Sequence, residues 1–259
     1  MTVNVKVAST KQSQANRPGQ APVALVTGAA GNIGRQVCVC LARDGYRIVA
    51  ADYAPDPGDL PPGCSYAHLD VRDEVSIRAA FDTAASMGPV TAVVAAHGIL
   101  AISRVDDATK DDLQPITDVN LLGVALLCVE AGRRMGPGGA IVNVSSVVAT
   151  MGRRGAGAFM YTAIKAGVEA LTRSFAVGLG PKGIRVNAVA PGFLTTPMSG
   201  LGAEARAKLS SMDEMLIYSP LGRLATPGEV AEAISFLCSP RASGISGVVL
   251  PVDVGQRAW

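Results

Sequence analysis

The segment Val23-Ala24-Leu25-Val26-Thr27-Gly28-Ala29-Ala30-Gly31-Asn32-Ile33-Gly34 joins a short apolar run to a cluster of glycines. The run has the length of a buried strand, and the glycines predict a tight turn directly after it. From Val37 onward apolar residues recur at helical spacing, so the turn is expected to open a helix. Such a strand, turn and helix let backbone amides approach a pyrophosphate, which the helix N-terminus stabilises.

An acidic residue follows the next predicted strand. The apolar segment 47–51 ends at Asp52, about twenty residues past the glycine turn. A carboxylate there can accept hydrogen bonds from the ribose of an adenine dinucleotide and would repel a 2′-phosphate. This pattern predicts NAD rather than NADP, with Arg35 and Arg47 as the nearby residues that favour the phosphate. The alternative is an ordinary strand-to-helix turn followed by a surface aspartate.

Two further predicted strands end at residues suited to the same site. The segment 65–69 runs into Asp70-Val71, and the segment 90–96 runs into His97-Gly98. In an open parallel sheet, ligands bind outside the carboxyl ends of the strands. Asp70 is therefore expected near the adenine, and Gly98 is expected to allow close approach of the backbone.

A second cluster of candidate residues lies in the middle of the chain. Tyr161 and Lys165 are four apart in the segment 159–179, whose helical apolar spacing predicts both side chains on one face. A nearby ammonium lowers the pKa of a phenol, which lets tyrosine exchange a proton with an alcohol or ketone. The apolar run 141–144 predicts a strand ending at Ser145-Ser146, where a hydroxyl can bond the reacting oxygen. Chance spacing and ordinary turn chemistry are the alternatives.

Composition narrows the function classes. The 259 residues are 49% hydrophobic with a net charge of +2 and no basic runs, so neither nucleic acid nor an anionic membrane is an expected partner. Five dispersed cysteines and two histidines predict neither a disulfide framework nor a metal site. The longest apolar stretch, 90–102, is too short to span a bilayer. Residues 1–20 are polar without a signal-peptide core, which predicts a flexible tail and a cytoplasmic protein.

Together these motifs resemble the classical short-chain dehydrogenase/reductase family over nearly the whole chain after residue 20. The resemblance extends to Leu69-Asp70-Val71, Val119-Asn120, Ile141 to Ser146, Val186 to Gly192, Thr196, Leu221-Gly222-Arg223 and Pro227 to Val230. It implies one Rossmann-type α/β domain over residues 21–259, with a doubly wound sheet of about seven parallel strands and helices on both faces.

The resemblance also implies a role for each candidate residue. Tyr161 is the expected general acid/base, and Lys165 is expected to lower its pKa and bind the nicotinamide ribose. Ser146, the second serine of the pair, is the expected catalytic serine, Asn120 is expected to hold a water in the proton relay, and Ser145 is expected to be structural. The expected cofactor-binding residues are Gly28, Gly31, Asn32, Ile33, Gly34, Asp52, Asp70, Val71, Gly98, Tyr161, Lys165, Pro191, Gly192 and, at the nicotinamide carboxamide, Thr196.

Three positions depart from the family pattern. Asn32 stands where a glycine is usual, and asparagine tolerates unusual backbone angles. Ala95-Ala96-His97-Gly98 replaces an Asn-Asn-Ala-Gly motif, so His97 either faces the nicotinamide pocket and touches substrate or is bonded by backbone groups. The interval between the catalytic serine and tyrosine is longer than usual around Arg153-Arg154, which either attract an anionic substrate or are simply solvated.

The region after Gly192 is expected to form the substrate side of the site. In the family, the segment that corresponds to residues 193–217 is a mobile lid. An apolar pocket is predicted, which favours an aliphatic or ring-containing alcohol or ketone, with core packing as the alternative for most of its residues. Its expected lining is Ile99, Leu100, Met151, Met160, Phe193, Leu194, Met198 and Met215. Family members are commonly tetramers that bury the helices of Asn120 and Tyr161, so a homotetramer is expected.

The functional hypothesis is an NAD-dependent oxidoreductase that interconverts a secondary alcohol and a ketone. One alternative is a 3-oxoacyl thioester reductase of the acyl carrier protein type, which residues 146–152 also resemble; Asp52 argues against it, because such reductases mostly use NADP. The alternative from another class is a non-catalytic dinucleotide-sensing protein. The intact Ser146, Tyr161 and Lys165 argue against a sensor, because a pure binding protein gains nothing from a tuned phenol.

Overall fold

Seven parallel strands form a single sheet in the order β3-β2-β1-β4-β5-β6-β7. The computed structural model describes residues 21–100, 105–151, 158–196, 216–217 and 219–258. Its strands are β1 (Val23–Thr27), β2 (Arg47–Asp52), β3 (Cys64–His68), β4 (Val90–Ala95), β5 (Ala140–Val144), β6 (Arg185–Pro191) and β7 (Val249–Val252). The chain winds outward in both directions from β1 and β4, so the predicted doubly wound Rossmann-type sheet is confirmed.

Helices cover both faces of the sheet. They are α1 (Asn32–Arg43), α2 (Glu74–Met87), α3 (Lys110–Thr117), a π-helical turn (Asp118–Leu122), α4 (Gly123–Arg134), α5 (Phe159–Leu179) and α6 (Pro227–Cys238). Side chains alternate between the two faces of β1, so that Val23 and Leu25 pack with α2, α4 and α5. Ala24 and Val26 pack instead with α1 and α6. A strand buried on both faces explains why the first apolar run shows no polar alternation.

The sequence-based element boundaries agree with the structure to within one or two residues. The helix predicted over 159–179 is α5, with the same ends. β3 lies one residue earlier than predicted, and β7 begins at Val249 rather than at Gly247. Gly247 has φ +81°, a conformation that ends a strand, which accounts for the later start.

The helical stretch Lys110–Arg134 has the length and apolar composition of a membrane span, and half of it is buried inside the protein. Ile116, Leu127 and Cys128 are fully buried among the helices and the sheet. A core helix of a globular domain meets the same criteria, and this stretch has that position here.

Three of the predictions concern residues outside the described ranges. The flexible tail at residues 1–20, the Arg153-Arg154 loop and residues 197–215 of the expected lid all fall there.

Candidate active site and cofactor cleft

A cavity of about 720 Å³ lies at the carboxyl edge of the sheet. It is bordered by the ends of β1, β2, β4, β5 and β6, because parallel strands present the same edge there. The structure brings to this cavity every residue predicted to bind the cofactor, together with the predicted catalytic serine, tyrosine and lysine. These residues are Gly28, Gly31, Asn32, Ile33, Gly34, Asp52, Asp70, Val71, Gly98, Ser146, Tyr161, Lys165, Pro191, Gly192 and Thr196.

The glycine turn is shaped by backbone packing. Gly28 has φ +70°, and a Cβ there would lie 2.5 Å from the backbone nitrogen of His97. A Cβ on Gly34 would overlap the carbonyl oxygen of Gly28. Only glycine avoids both the strained φ and the overlap, so the turn can lie close against β4 and α1.

The N-terminus of α1 points its positive end into the cavity. Its N-cap is Gly31, which brings no side-chain cap, and its first turn carries no acidic residue. The following residues, 32–34, line the cavity. First-turn amides and the helix dipole favour an anion, so this end of the cavity fits the pyrophosphate of a dinucleotide.

Asp52 lies at the end of β2, beside the glycine turn. Its Oδ2 accepts a hydrogen bond from the amide of Ala30 at 2.9 Å, and its Oδ1 accepts one from the amide of Ala54 at 3.0 Å. The carboxylate is thereby held in one orientation and keeps lone pairs for ribose hydroxyls. Arg35 pairs with Asp59, and Arg47 opens β2 at the opposite edge of the sheet.

Asp70 reaches the cavity as half of an ion pair. The guanidinium of Arg72 donates to both of its carboxylate oxygens, at 2.7 to 3.2 Å. This contact holds the pKa of Asp70 below its usual value. Arg72 also lies 5.6 Å from the centroid of the Tyr53 ring. The expected adenine position therefore lies beside the Asp70–Arg72 ion pair rather than beside an unpaired carboxylate.

Lys165 and Tyr161 leave the same face of α5, as their spacing predicts. The Lys165 Nζ atom lies 5.5 Å from the centroid of the Tyr161 ring and donates to the carbonyl oxygen of Val144 at 2.7 Å. Ser146 follows β5 across the cavity and opens a short 3₁₀ turn, Val147–Ala149, accepting from the amide of Val148 at 3.4 Å. A hydroxyl, a phenol and an ammonium thus border one cavity.

The pKa shifts at this pair run against the expectation from the sequence. Burial raises the pKa of Tyr161 to about 12 and lowers the pKa of Lys165 to about 8. The pKa of Tyr161 thus lies above its ordinary value, opposite to the lowering expected from Lys165. Loss of hydration is the cause of the shift at both groups, and a contribution of Lys165 to the pKa of the phenol stays a prediction.

Asn120 is the one residue predicted for catalysis or cofactor binding that does not line the cavity. It lies in the π-helical turn and is fully buried. Its Nδ2 donates to the carbonyl of Ile99 at 2.7 Å, and its Oδ1 accepts from the amide of Ile99 at 2.8 Å. The side chain therefore holds the segment after β4 in place, and a relay role for Asn120 stays a prediction.

His97 was expected either to face the nicotinamide pocket or to be held by hydrogen bonds within the protein, and it has features of both. It lines the cavity, yet its Nδ1 contacts Oγ1 of Thr27 at 2.6 Å, so a side chain of β1 holds the ring. Within the part of the chain that the structure describes, its buried Nε2 has no hydrogen-bond partner of normal geometry. Burial, reinforced by the charge of Lys165 and opposed by the Val119 backbone, lowers the pKa of His97 to about 3. The ring is therefore neutral at ordinary pH.

The substrate end of the cavity agrees in part with the expected apolar pocket. Ile99, Leu100, Phe193 and Leu194 line it. Met151 and Met160 are described but lie away from the lining, and Met198 and Met215 fall outside the described residues. Thr196 lines this end, and its buried Oγ1 atom has no hydrogen-bond partner among the described residues. An unpaired hydroxyl there fits a carboxamide, so the described residues match the chemistry of a nicotinamide dinucleotide from end to end.

Sequence reasoning missed two residues near the site. Thr27 holds His97, and the buried Glu169 accepts from the hydroxyl of Ser145 at 3.2 Å. Glu169 is four residues after Lys165, on the same helix face, so its spacing was a visible signal. Nothing in the sequence near Thr27 indicated its contact with a residue 70 positions later.

Comparisons with known proteins agree with this geometry. The family described as enoyl-(acyl carrier protein) reductase matches residues 28–257. Cis-4-hydroxycyclohexanecarboxylate dehydrogenase of Sinomonas cyclohexanicum is 41% identical, over 91% of this chain and 96% of that protein. Cyclopentanol dehydrogenase of Comamonas sp. is 36% identical, over 91% and 97%. The 3-alpha-(or 20-beta)-hydroxysteroid dehydrogenase of Mycobacterium tuberculosis is 35% identical, over 91% and 89%.

Solved structures resemble the chain over nearly its full length. The ligand-free aldohexose dehydrogenase of Thermoplasma acidophilum is 28% identical, with a TM-score of 0.82 over 93% of this chain and 95% of that one.

Proposed function

Because the chain belongs to the short-chain dehydrogenase/reductase family, we propose that it is an NAD(H)-dependent oxidoreductase that interconverts a secondary alcohol and a ketone. One observation carries the proposal. A single cavity joins the glycine turn and Asp52 at one end to Ser146, Tyr161 and Lys165 at the other. Hydride exchange at the substrate carbon and proton exchange at the substrate oxygen would then take place in one cavity.

The proposed chemistry divides between cofactor and protein. A bound nicotinamide would exchange the hydride with the substrate carbon. The phenol of Tyr161 exchanges the proton with the substrate oxygen, and the hydroxyl of Ser146 donates a hydrogen bond to that same oxygen. At neutral pH the phenol holds its proton, since burial raises its pKa to about 12. That form protonates a ketone directly, whereas alcohol oxidation requires the phenolate, which accepts the proton of the alcohol.

Asp52 supports NAD as the cofactor. Its carboxylate is fixed by two backbone amides at the place where a 2′-phosphate would lie, and Arg35 and Arg72 are each paired with an aspartate. A phosphate would therefore meet a negative charge and cations that are already neutralised.

The substrate class is a ring-containing or aliphatic secondary alcohol. Ile99, Leu100, Phe193 and Leu194 make that end of the cavity apolar, and three relatives are named for cyclic alcohols or hydroxysteroids. A cytoplasmic homotetramer is part of the same proposal. Exposed apolar side chains on the π-helical turn, α4 and α5 support subunit contacts there, and they include Leu122, Val129 and Val177.

The test combines cofactor titration with turnover. NADH and NADPH binding are measured by fluorescence, and the tighter cofactor is then assayed with a panel of cyclic and aliphatic alcohols and ketones. The variant Tyr161→Phe is expected to bind NADH as the wild type does and to lose nearly all turnover. Tyr46→Phe is the matched control, because its hydroxyl contacts the Cys238 carbonyl away from the cavity.

Other outcomes would favour the rival functions. NADPH preference together with turnover of 3-oxoacyl thioesters would replace the proposal with the thioester reductase. Tight NADH binding without turnover on the whole panel would favour a dinucleotide sensor. Turnover by Tyr161→Phe at the wild-type rate would remove the tyrosine from the chemistry.

A further inference from the structure

A row of buried polar side chains joins β5 to α5 behind the candidate catalytic residues. Asn143 and Ser145 are two residues apart, so they leave the same face of the strand. Lys165, Glu169 and Thr172 are four and three residues apart, so they share one face of the helix. We call these five residues the β5–α5 seam. All five are buried, with exposed fractions of 7% or less.

The end of the seam far from the cavity is a side-chain hydrogen bond. Nδ2 of Asn143 donates to Oγ1 of Thr172 at 3.0 Å, and the Thr172 hydroxyl donates onward to the carbonyl of Val168 at 2.8 Å. Neither Asn143 nor Thr172 lines the cavity. This end therefore holds the helix to the strand without touching the reacting groups.

The end near the cavity holds Lys165 from two sides. The Lys165 ammonium donates to the carbonyl of Val144 at 2.7 Å. The hydroxyl of Ser145 lies 3.1 Å from the main-chain carbonyl oxygen of Lys165 and 3.2 Å from Oε1 of Glu169, so its single proton is within hydrogen-bond reach of both acceptors. Ser145 is itself held in the sheet, because its amide donates to the carbonyl of Val189 at 2.8 Å.

These contacts set the offset between strand and helix. A helix advances about 1.5 Å per residue, so sliding α5 by one residue would break all of them. A buried carboxylate without a hydrogen bond is strongly destabilising, so losing the contact between Glu169 and Ser145 has a large effect. Ser146 is covalently next to Ser145, and Tyr161 lies one helical turn before Lys165. The seam therefore spans the two elements whose alignment the reaction needs.

We infer that Ser145 and Glu169 are positioning residues, which hold Lys165 and, through α5, Tyr161 in register with Ser146. This inference rests on the proposed function, because register matters only where these groups act on one substrate oxygen. Neither Ser145 nor Glu169 contacts the substrate oxygen. They act by setting the distances among Ser146, Tyr161 and Lys165.

The kinetic test uses substitutions at both ends of the seam. Ser145→Ala and Glu169→Ala are expected to lower kcat by about tenfold or more, because misplacing a reacting group by about an ångström already weakens catalysis strongly. Their NADH dissociation constants should rise by a smaller factor than kcat falls, since the glycine turn and Asp52 are untouched and only the expected ribose contact of Lys165 moves. The double variant should be no worse than the single ones, because the two residues act through one contact.

Two further variants separate positioning from general stability. Glu169→Gln keeps an oxygen that can accept from Ser145, so it should restore kcat to near the wild-type value. Thr172→Val removes the buried hydrogen bond at the far end of the seam, so it should lower Tm and leave kcat unchanged. Equal loss of kcat in Thr172→Val, or wild-type kcat in both alanine variants, would overturn the inference.

A readout without turnover keeps the inference distinct from the proposed function. The wild type and the variants are methylated reductively with formaldehyde and borohydride, and labelling of Lys165 is followed by peptide mass spectrometry, with the exposed Lys110 as reference. Ser145→Ala and Glu169→Ala should label Lys165 faster than the wild type, and Thr172→Val should not. If the wild type turns over no alcohol, the proposed function fails, but the labelling rates still test whether Ser145 and Glu169 hold Lys165 in place. Unchanged labelling of Lys165 in the alanine variants would refute that positioning role.

Discussion

Replacing Gly34 with alanine should weaken both cofactor binding and folding, because the added Cβ displaces the glycine turn. The added Cβ would lie 2.7 Å from the carbonyl carbon of Gly28 and 2.8 Å from Cα of Ala29, and it would overlap the Gly28 oxygen. All three atoms belong to the backbone of the glycine turn, so no side-chain rotation can relieve the contact. The turn itself must move away from α1.

The size of the effect follows from that displacement. Ordinary contact begins at 3.4 Å, so the turn has to shift by about an ångström, which destabilises an overpacked site by about 1–3 kcal/mol. The same shift moves the amides that would meet the pyrophosphate. A loss of about 2 kcal/mol in binding corresponds to an NADH dissociation constant about thirtyfold higher.

The assay is fluorescence titration of NADH alongside urea unfolding. Gly178→Ala is the matched control, because Gly178 lies within α5 and an added Cβ there would meet nothing within 4 Å. That control should bind NADH normally and be stabilised by about 0.5–1 kcal/mol. Wild-type NADH affinity in Gly34→Ala, with the control behaving as described, would refute the link between the packed turn and cofactor binding.

Three further predictions each concern one residue of the site. Asp52→Asn should narrow the preference for NADH over NADPH by about tenfold, because it removes the charge facing a 2′-phosphate, and parallel titrations of the two cofactors measure it. Burial lowers the pKa of Lys165 from 10.5 to about 8, so between these values the unfolded chain binds more protons and stability rises with pH. Lys165→Met should therefore abolish the rise of the urea midpoint with pH. Below pH 8 its free energy of unfolding should exceed that of the wild type by up to about 3 kcal/mol. Thr27→Val should destabilise the fold by about 1–3 kcal/mol in urea, since it deprives His97 of its 2.6 Å partner, and an unchanged midpoint would contradict that account.

Much of the fold could be predicted from patterns of residues that are close together in the sequence. The glycine turn after β1 and the helical spacing over 159–179 each depend on residues close together in the chain, and both elements form where they were expected. The meeting of Asp52, Ser146 and Tyr161 also followed, because strand ends of a parallel sheet share one edge whatever the details of packing. Periodicity and topology are therefore the part of this protein that its sequence determined alone.

The tertiary structure decided what depends on burial and on long-range contacts. His97 turns to Thr27 and Ser145 reaches Glu169, and each pairing needs the folded geometry to bring its partners together. The opposite pKa shifts of the phenol and the ammonium arise from loss of water around both. Spacing reports which groups are neighbours on an element, whereas hydration and cross-element distance exist only once the elements have packed.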